Sequence, residues 1–461
     1  MNLFRYLTIG LVLSTKLEAQ TLTVLSNLGG DAGDRPQDAL VLESNTLYGT
    51  TWYQGPGGNG TIFKVNTDGT GFAVLHSSIS NDCAHPRGLI VCNGTLYGSD
   101  TGSASSYGSI FSLNADGSSF TNLKVFSGSD GAGPIGGLAR DGNTLYGVTV
   151  GGGSATNGTI FKLNTDGTGF TTIYTFTPTT WSPGVAWTNC DGADPSAGLT
   201  LSGSTLFGTT QSAGMGGAGT VFKLNTDGSS FVVLHPFSYT SSNLDGELPQ
   251  AQLLLSGGVL YGTTQYDTSG GAGTLFRLNT DGSGFAVLHQ FTNSGPLSGV
   301  ILGAANTLYG TVPNGGIELG VAYQVNTDGT GFTVLHNFSW DSESGNWDGG
   351  LPLGGLILSG NTLYGTAAIG GTNRAGTVFA LQLPPPAPPL ISGIFQTNGN
   401  VAFTWNASAG VSYQVQYRTD FSSTTWANLG SVILATNNAA SATDPLGTGA
   451  QRFYRVVRLP H

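Results

Sequence analysis

The chain has 461 residues, of which 74 are glycine and only 9% are charged, and its net charge is −11 at pH 7. This composition excludes a helical protein, because each Gly inside a helix costs about 1 kcal/mol and helices depend on exposed Glu, Lys and Arg. Simple disorder is also excluded, since 39% of the residues are hydrophobic and 10% are aromatic. An all-β protein rich in glycine turns remains, and its acidic balance argues against a nucleic-acid partner.

Residues 1–19 have the pattern of a secretory signal peptide. Arg5 provides a positive charge, residues 6–14 are a short apolar run, and residues 17–19 precede an acceptable cleavage point. The alternative interpretation is a buried first strand. No other stretch approaches the roughly 18 apolar residues that span a bilayer. The sequence therefore predicts a secreted protein, extracellular or at the cell surface, without membrane insertion.

One unit recurs seven times along the chain. It contains Leu-Tyr-Gly or Leu-Phe-Gly, then a β-branched and aromatic run such as residues 61–65, and usually a turn like Asn-Thr-Asp-Gly. Apolar runs joined by Asp-Gly indicate hairpins, so each unit is predicted to have four strands, which we name a, b, c and d. The Leu-Tyr-Gly element lies in strand b and starts at Leu47, Leu96, Leu145, Leu206, Leu260, Leu308 and Leu363.

Four-stranded units with a period near 50 residues are typical of β-propeller blades. Strands a, b and c occur seven times, whereas strand d follows strand c only six times. The missing copy lies at the other end, because residues 21–28 align without gaps onto residues 331–338, which contain a strand d. We therefore predict a seven-bladed β-propeller over residues 20–383, closed by the N-terminal strand so that no inner edge stays unpaired.

The repeated pattern Asn-Thr-Leu-Tyr-Gly-Thr, Gly-Thr-Val-Phe-Lys-Leu-Asn-Thr-Asp-Gly and Phe-x-Val-Leu-His resembles the bacterial Gloeo_Verruco (GloVer) tandem repeat. The resemblance extends over residues 21–382. It implies a propeller-type extracellular protein, and it provides no catalytic residues.

The last part of the chain is predicted to be a separate module. Residues 384–389 form a proline-rich linker, and residues 390–461 contain alternating apolar runs with Trp405 in an early one. Short alternating strands predict a small β-sandwich, and the segment resembles a fibronectin type III module.

The b–c and d–a loops share one face of the propeller, because consecutive strands alternate in direction. We call this face the variable face, since its loops differ in length and sequence, and variable loops commonly carry function. Asp194 and five tryptophans of these loops are predicted to bind ligand, with the rings as platforms for sugars. The alternative is that each ring fills a gap beneath its own loop. The tryptophans are Trp52, Trp181, Trp187, Trp340 and Trp347.

Two candidate sites for other chemistry lie in the same loops. His85 and Arg87 could act as base and charge neutraliser in β-elimination on a uronic-acid polymer, although an ordinary loop pair is the alternative. Asp341, Glu343 and Asp348 could hold Ca²⁺, but they match no defined calcium loop. No cofactor is expected.

Two polar positions are periodic, and the repeat predicts a structural role for both. An Asp begins Asp-Gly-x-x-Pro in several d–a loops, as at Asp245, where it is expected to accept backbone N–H groups. A His occupies one position of strand d, as at His235, where it is expected to pack.

The sequence predicts a monomeric binding or scaffold protein, whose partner is an extracellular polysaccharide or a surface protein bound at the variable face. A polysaccharide lyase or hydrolase acting on the same face is one alternative, and a purely structural surface protein is another, so enzymatic activity stays open. Neutral glycans are expected to fit better than strongly anionic ones, because this face has few basic residues beyond Arg35, Arg87 and Arg374.

Overall fold

The computed structural model describes residues 20–79, 83–102, 106–183, 186–239, 244–267, 271–314, 319–339, 348–384, 389–397, 400–407, 411–419, 425–436, 439–445 and 452–459. Within these ranges the structure is all-β, and the helical elements are two short 3-10 turns, Gly30–Ala32 and Ala304–Asn306. The prediction of an all-β fold is confirmed.

Each repeat forms one antiparallel sheet in the order a-b-c-d, and the described residues contain seven such sheets, numbered here along the chain. Strand a is short and lies at Val41–Glu43, Pro86–Cys92, Ala139–Asp141, Thr200–Ser202, Leu254–Ser256, Ile301–Leu302 and Ile357–Ser359. Strand b lies at Thr46–Thr51, Thr95–Asp100, Thr144–Gly151, Thr205–Thr210, Val259–Thr263, Thr307–Val312 and Thr362–Ala367.

Strand c lies at Thr61–Asn66, Ser109–Asn114, Thr159–Asn164, Gly217–Asn225, Thr274–Asn279, Val321–Asn326 and Thr377–Gln382. Strand d of sheets 1 to 6 lies at Ala73–Ser77, Thr121–Val125, Thr171–Thr175, Val232–Ser238, Ala286–Gln290 and Thr333–Asn337. Sheet 3 has one additional short strand, Ala132–Pro134, which pairs with its strand b.

The repeated apolar pairs bury both faces of every sheet. In sheet 1, Leu47 and Phe63 pack into a cluster with sheet 7, whereas their neighbours Tyr48 and Ile62 pack into a cluster with sheet 2. Successive residues of a strand point to opposite faces, so Leu-Tyr in strand b and Ile-Phe in strand c supply one large side chain to each side. Sheets that are apolar on both faces must stack between two neighbours.

The glycine of Leu-Tyr-Gly provides the space that this stacking needs. A Cβ at Gly49 would lie 2.5 Å from Phe63 Cζ and 2.7 Å from Leu40 Cδ2. The same clash with the aromatic residue of strand c recurs at Gly98, Gly147, Gly208, Gly262, Gly310 and Gly365.

Seven apolar clusters connect the sheets in cyclic order. Six of them join consecutive sheets, and the seventh joins Tyr364 and Val378 of sheet 7 to Leu47 and Phe63 of sheet 1. Strand d of sheet 7 is the N-terminal strand Thr21–Asn27, which pairs antiparallel with Thr377–Gln382 and has the same bulge as the other c–d pairs. The pairing predicted from the missing strand d is therefore observed.

The C-terminal part forms two three-stranded antiparallel sheets. One shared apolar cluster contains Phe403 and Trp405 of the first sheet and Tyr413 and Val415 of the second, so the two sheets pack face to face. The first sheet contains Ile391–Thr397, Asn400–Asn406 and Ala439–Pro445, and the second contains Ala427–Leu434, Ser412–Arg418 and Phe453–Arg458. Across the described residues, no helix is long and apolar enough to cross a membrane.

Candidate functional site

A central cavity of about 580 Å³ is lined by one segment from every repeat. Each segment follows a proline in the d–a loop and leads into strand a. The lining residues are 37–39, 87, 135–137, 196–198, 250–254, 297–301 and 353–356. Asp38 and Arg87 are the charged residues among them, so the charged groups of this cavity lie between repeats 1 and 2.

The residue before this proline has a positive φ in six repeats. Its backbone N–H donates to the preceding repeat, as from His85 to Asn59 O (2.9 Å) and from Arg35 to Ala375 O (3.0 Å). Glycine is the residue best suited to this conformation, yet only one of the six is Gly. The rim of the cavity thus presents five side chains of four kinds from one backbone geometry. The six are Arg35 (52°), His85 (61°), Gly133 (62°), Asp194 (56°), Leu248 (56°) and Leu351 (52°).

Arg87 and Asp38 form an ion pair at the cavity wall. Arg87 Nη2 lies 3.1 Å from Asp38 Oδ1, and Arg87 Nε lies 3.3 Å from both carboxylate oxygens. The two side chains are 20% and 19% exposed, so the contact is well shielded. Other repeats have Gly, Ala or Ser at the position of Asp38, which makes this pair an addition to the repeat. Those residues are Gly88, Gly136, Ala197, Ala251, Ser298 and Gly354.

Trp52, His85 and Arg87 are brought into direct contact. The His85 ring stacks on Trp52 with centroids 5.2 Å apart, and the Arg87 guanidinium lies 4.7 Å from the Trp52 ring centroid. His85 Nδ1 lies 2.7 Å from Trp52 O. A carbonyl oxygen can only accept, so Nδ1 carries the hydrogen and Nε2 carries the lone pair of the neutral ring. Half-buried and covered by these partners, Trp52 differs from the open platform that the sequence suggested.

Tyr53 extends this group toward solvent. Its ring is 40% exposed and makes an edge contact with His85, with centroids 5.2 Å apart. The Arg35 guanidinium lies 5.5 Å from the centroid of the same ring. We call Arg35, Trp52, Tyr53, His85 and Arg87 the rim cluster; its members come from repeats 1 and 2.

Trp181 and Trp187 lie in a two-stranded hairpin, Thr180–Ser182 with Ala186–Thr188, inserted between sheets 3 and 4. The expectation that these tryptophans lie outside strands is wrong, because the insertion is long enough to form its own ladder. The rings face each other across the hairpin with centroids 5.8 Å apart at 67°, and they are 60% and 57% exposed. They are open aromatic surfaces and do not fill a gap beneath the loop.

Asp194 occupies the rim position of repeat 4, and Ser212 Oγ donates to its Oδ2 at 2.5 Å. This places it on the same face as the rim cluster but in another repeat. Trp340 and Trp347 lie outside the described residues, as do Asp341 and Glu343.

Asp348, the third calcium candidate, contacts the strand d that precedes it. Its Oδ2 lies 2.6 Å from His336 Nε2, and its Oδ1 accepts the backbone N–H of Ser339 at 3.3 Å. Asp245 and His235 make the same contact at 2.8 Å, between the loop that enters sheet 5 and strand d of sheet 4. Within the described part of the chain, no group of three His, Cys, Asp or Glu residues is arranged to hold a metal ion.

The strand-d histidines also connect neighbouring sheets. His235 stacks on Phe285 of the next repeat, with centroids 3.8 Å apart and planes 5° from parallel, and His289 stacks on Phe332 with the same spacing. The packing role expected for these residues is therefore observed.

Two acidic groups in the d–a loops have raised pKa values, one in repeat 5 and one in repeat 1. Burial, with the nearby Asp267 and Asp245 carboxylates adding to it, raises the pKa of Glu247 to about 7. Burial also raises the pKa of Asp34, although the Arg35 charge and a hydrogen bond from Gln54 oppose the shift. Glu247 in repeat 5 and Asp34 in repeat 1 occupy equivalent positions. Each forms an isolated antiparallel backbone bridge with a tyrosine of its b–c loop, Asp34 with Tyr53 and Glu247 with Tyr266.

Sequence reasoning missed Asp38, Tyr53 and Glu247 as site residues. A column-by-column alignment of the seven repeats would have found Asp38, because the other six repeats have Gly, Ala or Ser at this position. Tyr53 and Glu247 follow repeat-specific loop patterns, and only their contacts mark them.

Comparison with solved structures supports a propeller-like all-β repeat protein. The chain is similar to an oligogalacturonate lyase from Vibrio parahaemolyticus, at 11% identity over 79% of this chain and 93% of that chain, with a TM-score of 0.50. It is also similar to an ulvan lyase of a polysaccharide lyase family (11% identity, 82% and 93% covered, TM-score 0.45) and to a chain of a nidogen/laminin complex (17%, 55% and 80%, 0.37). At such identities the likeness to the oligogalacturonate lyase concerns the fold alone.

The family is shown by the repeat itself. Residues 8–186 and 185–316 match the Gloeobacter/Verrucomicrobia repeat, and the chain belongs to this repeat family. No curated protein sequence matches the chain.

Proposed function

We propose that residues 20–383 form a closed seven-bladed β-propeller followed, after a linker at residues 384–389, by a fibronectin type III-like sandwich at residues 390–461. The cyclic order of the seven apolar clusters and the pairing of Thr21–Asn27 with Thr377–Gln382 support the ring. Two face-to-face three-stranded sheets support the sandwich, which has one strand fewer than the seven of a constant-type immunoglobulin domain among its described residues.

We propose that the protein is an extracellular, monomeric binding protein for polysaccharide, acting through the variable face. The observation that carries this proposal is the Trp181–Trp187 hairpin. Two exposed indole rings on an insertion that interrupts one repeat serve neither the apolar clusters nor the loop turns. Large exposed aromatic surfaces are unfavourable unless a ligand covers them, and indole faces suit the apolar faces of sugar rings.

A polysaccharide lyase is the second candidate, and the rim cluster favours it. Trp52 O fixes the His85 tautomer that leaves Nε2 as a base, while Tyr53 lies beside this ring and Arg35 beside Tyr53. Proton abstraction beside a sugar carboxylate needs a base and a cation that neutralises the carboxylate. The His85 ring and the Arg35 guanidinium are suited to these two roles, and the Tyr53 phenol lies between them.

Glycan-array binding followed by calorimetry tests the proposed function. Stacking residues commonly contribute about 1–3 kcal/mol each to affinity, so Trp181→Ala and Trp187→Ala should each weaken binding by that amount. Phe395→Ala is the matched control, because Phe395 is also 60% exposed but lies in the C-terminal sheet. Unchanged affinity in both tryptophan variants would reject the hairpin as a binding surface, and a wild-type protein that binds no glycan would favour a purely structural role.

Product analysis separates binding from catalysis. If the protein only binds, then the wild type releases no unsaturated sugar, and His85→Ala retains affinity. If it is a lyase, then unsaturated product forms with the wild type and disappears in His85→Ala, while affinity is retained.

A further inference from the structure

The basic residues of the variable face lie in one sector. Arg374 lies in the b–c loop of sheet 7, Arg35 in the loop that enters sheet 1, and Arg87 at the start of strand a of sheet 2. The Arg35 N–H donates to Ala375 O at 3.0 Å, which connects the first two loops directly. Asp194 and Glu247 lie in repeats 4 and 5. The arginines of this face are therefore grouped in one sector, which also contains the carboxylates of Asp34 and Asp38.

Within this sector, the Arg35 side chain is exposed to solvent. Arg87 is neutralised by Asp38, and the salt bridges of the described residues do not include Arg35. The neighbouring Asp34 carboxylate accepts Gln54 Nε2 at 2.8 Å. The exposed Arg35 guanidinium instead lies over the half-exposed Tyr53 ring, 5.5 Å from its centroid.

The backbone at Arg35 is held in a conformation that disfavours its side chain. Its φ is 52°, and the equivalent residue of repeat 3 is Gly133. Both the N–H and the C=O of Arg35 are fixed, the first by Ala375 O and the second by the N–H of Trp52 at 3.3 Å. The same backbone conformation occurs at Leu248 and Leu351, so it belongs to the repeat and fixes only the backbone from which the side chain extends. The exposed Arg35 guanidinium takes part in none of the salt bridges of the described residues, which leaves its N–H donors accessible to an anionic ligand.

We propose that Arg35 and Tyr53 form a subsite for an acidic sugar, one that carries a carboxylate or sulfate group. Guanidinium binds such planar or tetrahedral oxyanions through paired N–H donors, and the Tyr53 ring covers the apolar face of the same sugar. His85 supports Tyr53 from the side. This inference rests on the proposed function, and it replaces the expected preference for neutral glycans with a preference for acidic ones.

Calorimetric titration with two pairs of probes tests the subsite. One pair is an oligogalacturonate and its carboxyl-reduced neutral counterpart, and the other is a sulfated galactan oligosaccharide and the unsulfated one. We expect the wild type to bind one acidic form about tenfold more tightly than its neutral counterpart, as one charge-assisted hydrogen-bond pair allows. Added salt should reduce the ratio. If the oligogalacturonate shows the preference, the anion is a carboxylate; if the sulfated galactan shows it, the anion is a sulfate.

Variants at the same position separate binding from folding. Arg35→Gly suits the positive φ and should fold at least as well as the wild type, yet it should abolish the preference for the acidic probe. Arg35→Lys should retain part of the preference, because lysine keeps the positive charge but lacks the paired N–H donors of the guanidinium. Arg277→Ala is the matched control, since Arg277 is an exposed arginine in strand c of sheet 5, and it should leave the preference unchanged.

Two results would overturn the subsite. One is equal binding of acidic and neutral probes by the wild type while Trp187→Ala weakens both, which leaves the proposed function standing. The other is an equal loss of preference in Arg277→Ala and Arg35→Gly, which would indicate a general field rather than a site. Failure to bind any saccharide would overturn both proposals.

Discussion

The Arg87 guanidinium and the Asp38 carboxylate, which lie 49 residues apart in the chain, form an ion pair with Nη2 and Oδ1 3.1 Å apart. Asp38 also accepts the backbone N–H of Gly88 at 3.4 Å and the Thr50 hydroxyl at 3.4 Å. The pair thus connects the loop that enters sheet 1 with the start of strand a of sheet 2, and it holds the guanidinium against Trp52. It positions the rim cluster beside the central cavity.

Replacing one partner of this ion pair should lower the free energy of unfolding more than replacing both partners. Arg87→Ala leaves a shielded carboxylate without its cation, and we expect a loss of about 1–3 kcal/mol in the free energy of unfolding. The double variant Arg87→Ala/Asp38→Ala should be more stable than Arg87→Ala, because six repeats have a small residue at the position of Asp38. Denaturant titration of the four proteins of the cycle measures the coupling. A double variant less stable than both single variants would contradict this assignment.

Removal of residues 20–28 should destabilise the whole array of seven sheets. The deletion removes strand d of sheet 7 together with the fully buried Leu28, and it leaves the edge of Thr377–Gln382 unpaired. We expect a loss of several kcal/mol or aggregation, against a usual stability of about 5–15 kcal/mol. Thermal unfolding checks the result, and an unchanged melting temperature would refute closure by this strand.

A rescue variant provides the control for that deletion. Residues 21–28 moved to follow Gln382 through Thr-Asp-Gly-Thr would re-create the c–d connection of the other repeats, since the register Thr21 to Gln382 is the one that such a turn joins. Stability should return to near that of the wild type. If it does not, then the N-terminal strand contributes by some means other than pairing.

Truncation before residue 390 should leave the remaining sheets intact. The apolar cluster of the C-terminal sheets consists of residues from 391 onward, and the seven clusters of the repeats contain none of them. We expect the truncated protein to keep the main melting transition within about 2 °C, because surface changes away from a core alter stability little. Loss of cooperative unfolding would place the module boundary elsewhere.

Glu247 should make stability depend on pH between about 4.5 and 7. Its pKa is raised in the folded state, so the folded protein binds more protons than the unfolded chain in this window, and stability falls as the pH rises. Because the group is partly exposed, the effect after screening is about 1 kcal/mol or less. Glu247→Gln should remove this slope and stabilise the protein at pH 8, as urea titrations at several pH values would show. An unchanged slope would mean that Glu247 does not titrate in this range.

Much of the fold was predictable because a short sequence pattern recurs in every repeat and determines its strands and turns. Leu-Tyr-Gly followed by an aromatic strand and Asn-Thr-Asp-Gly gives the strand order, and the match of residues 21–28 to residues 331–338 gave the pairing that joins the two ends of the repeat array. The candidate site was predicted in part. The choice of the variable face as the functional face stays a prediction. Tyr53 and Asp38 were missed, and Trp181 and Trp187 lie in a hairpin.

The amino-acid sequence by itself determined which residues pair within each sheet and which faces are apolar, because strand alternation and turn chemistry act over a few neighbouring residues. Only the tertiary structure decided which loop side chains meet. His85 reaches Trp52 from 33 residues away, and Arg35 is set beside Ala375 from the far end of the repeat array. Such contacts depend on how each sheet is rotated against the next, and that rotation results from packing across the seven apolar clusters rather than from any local pattern.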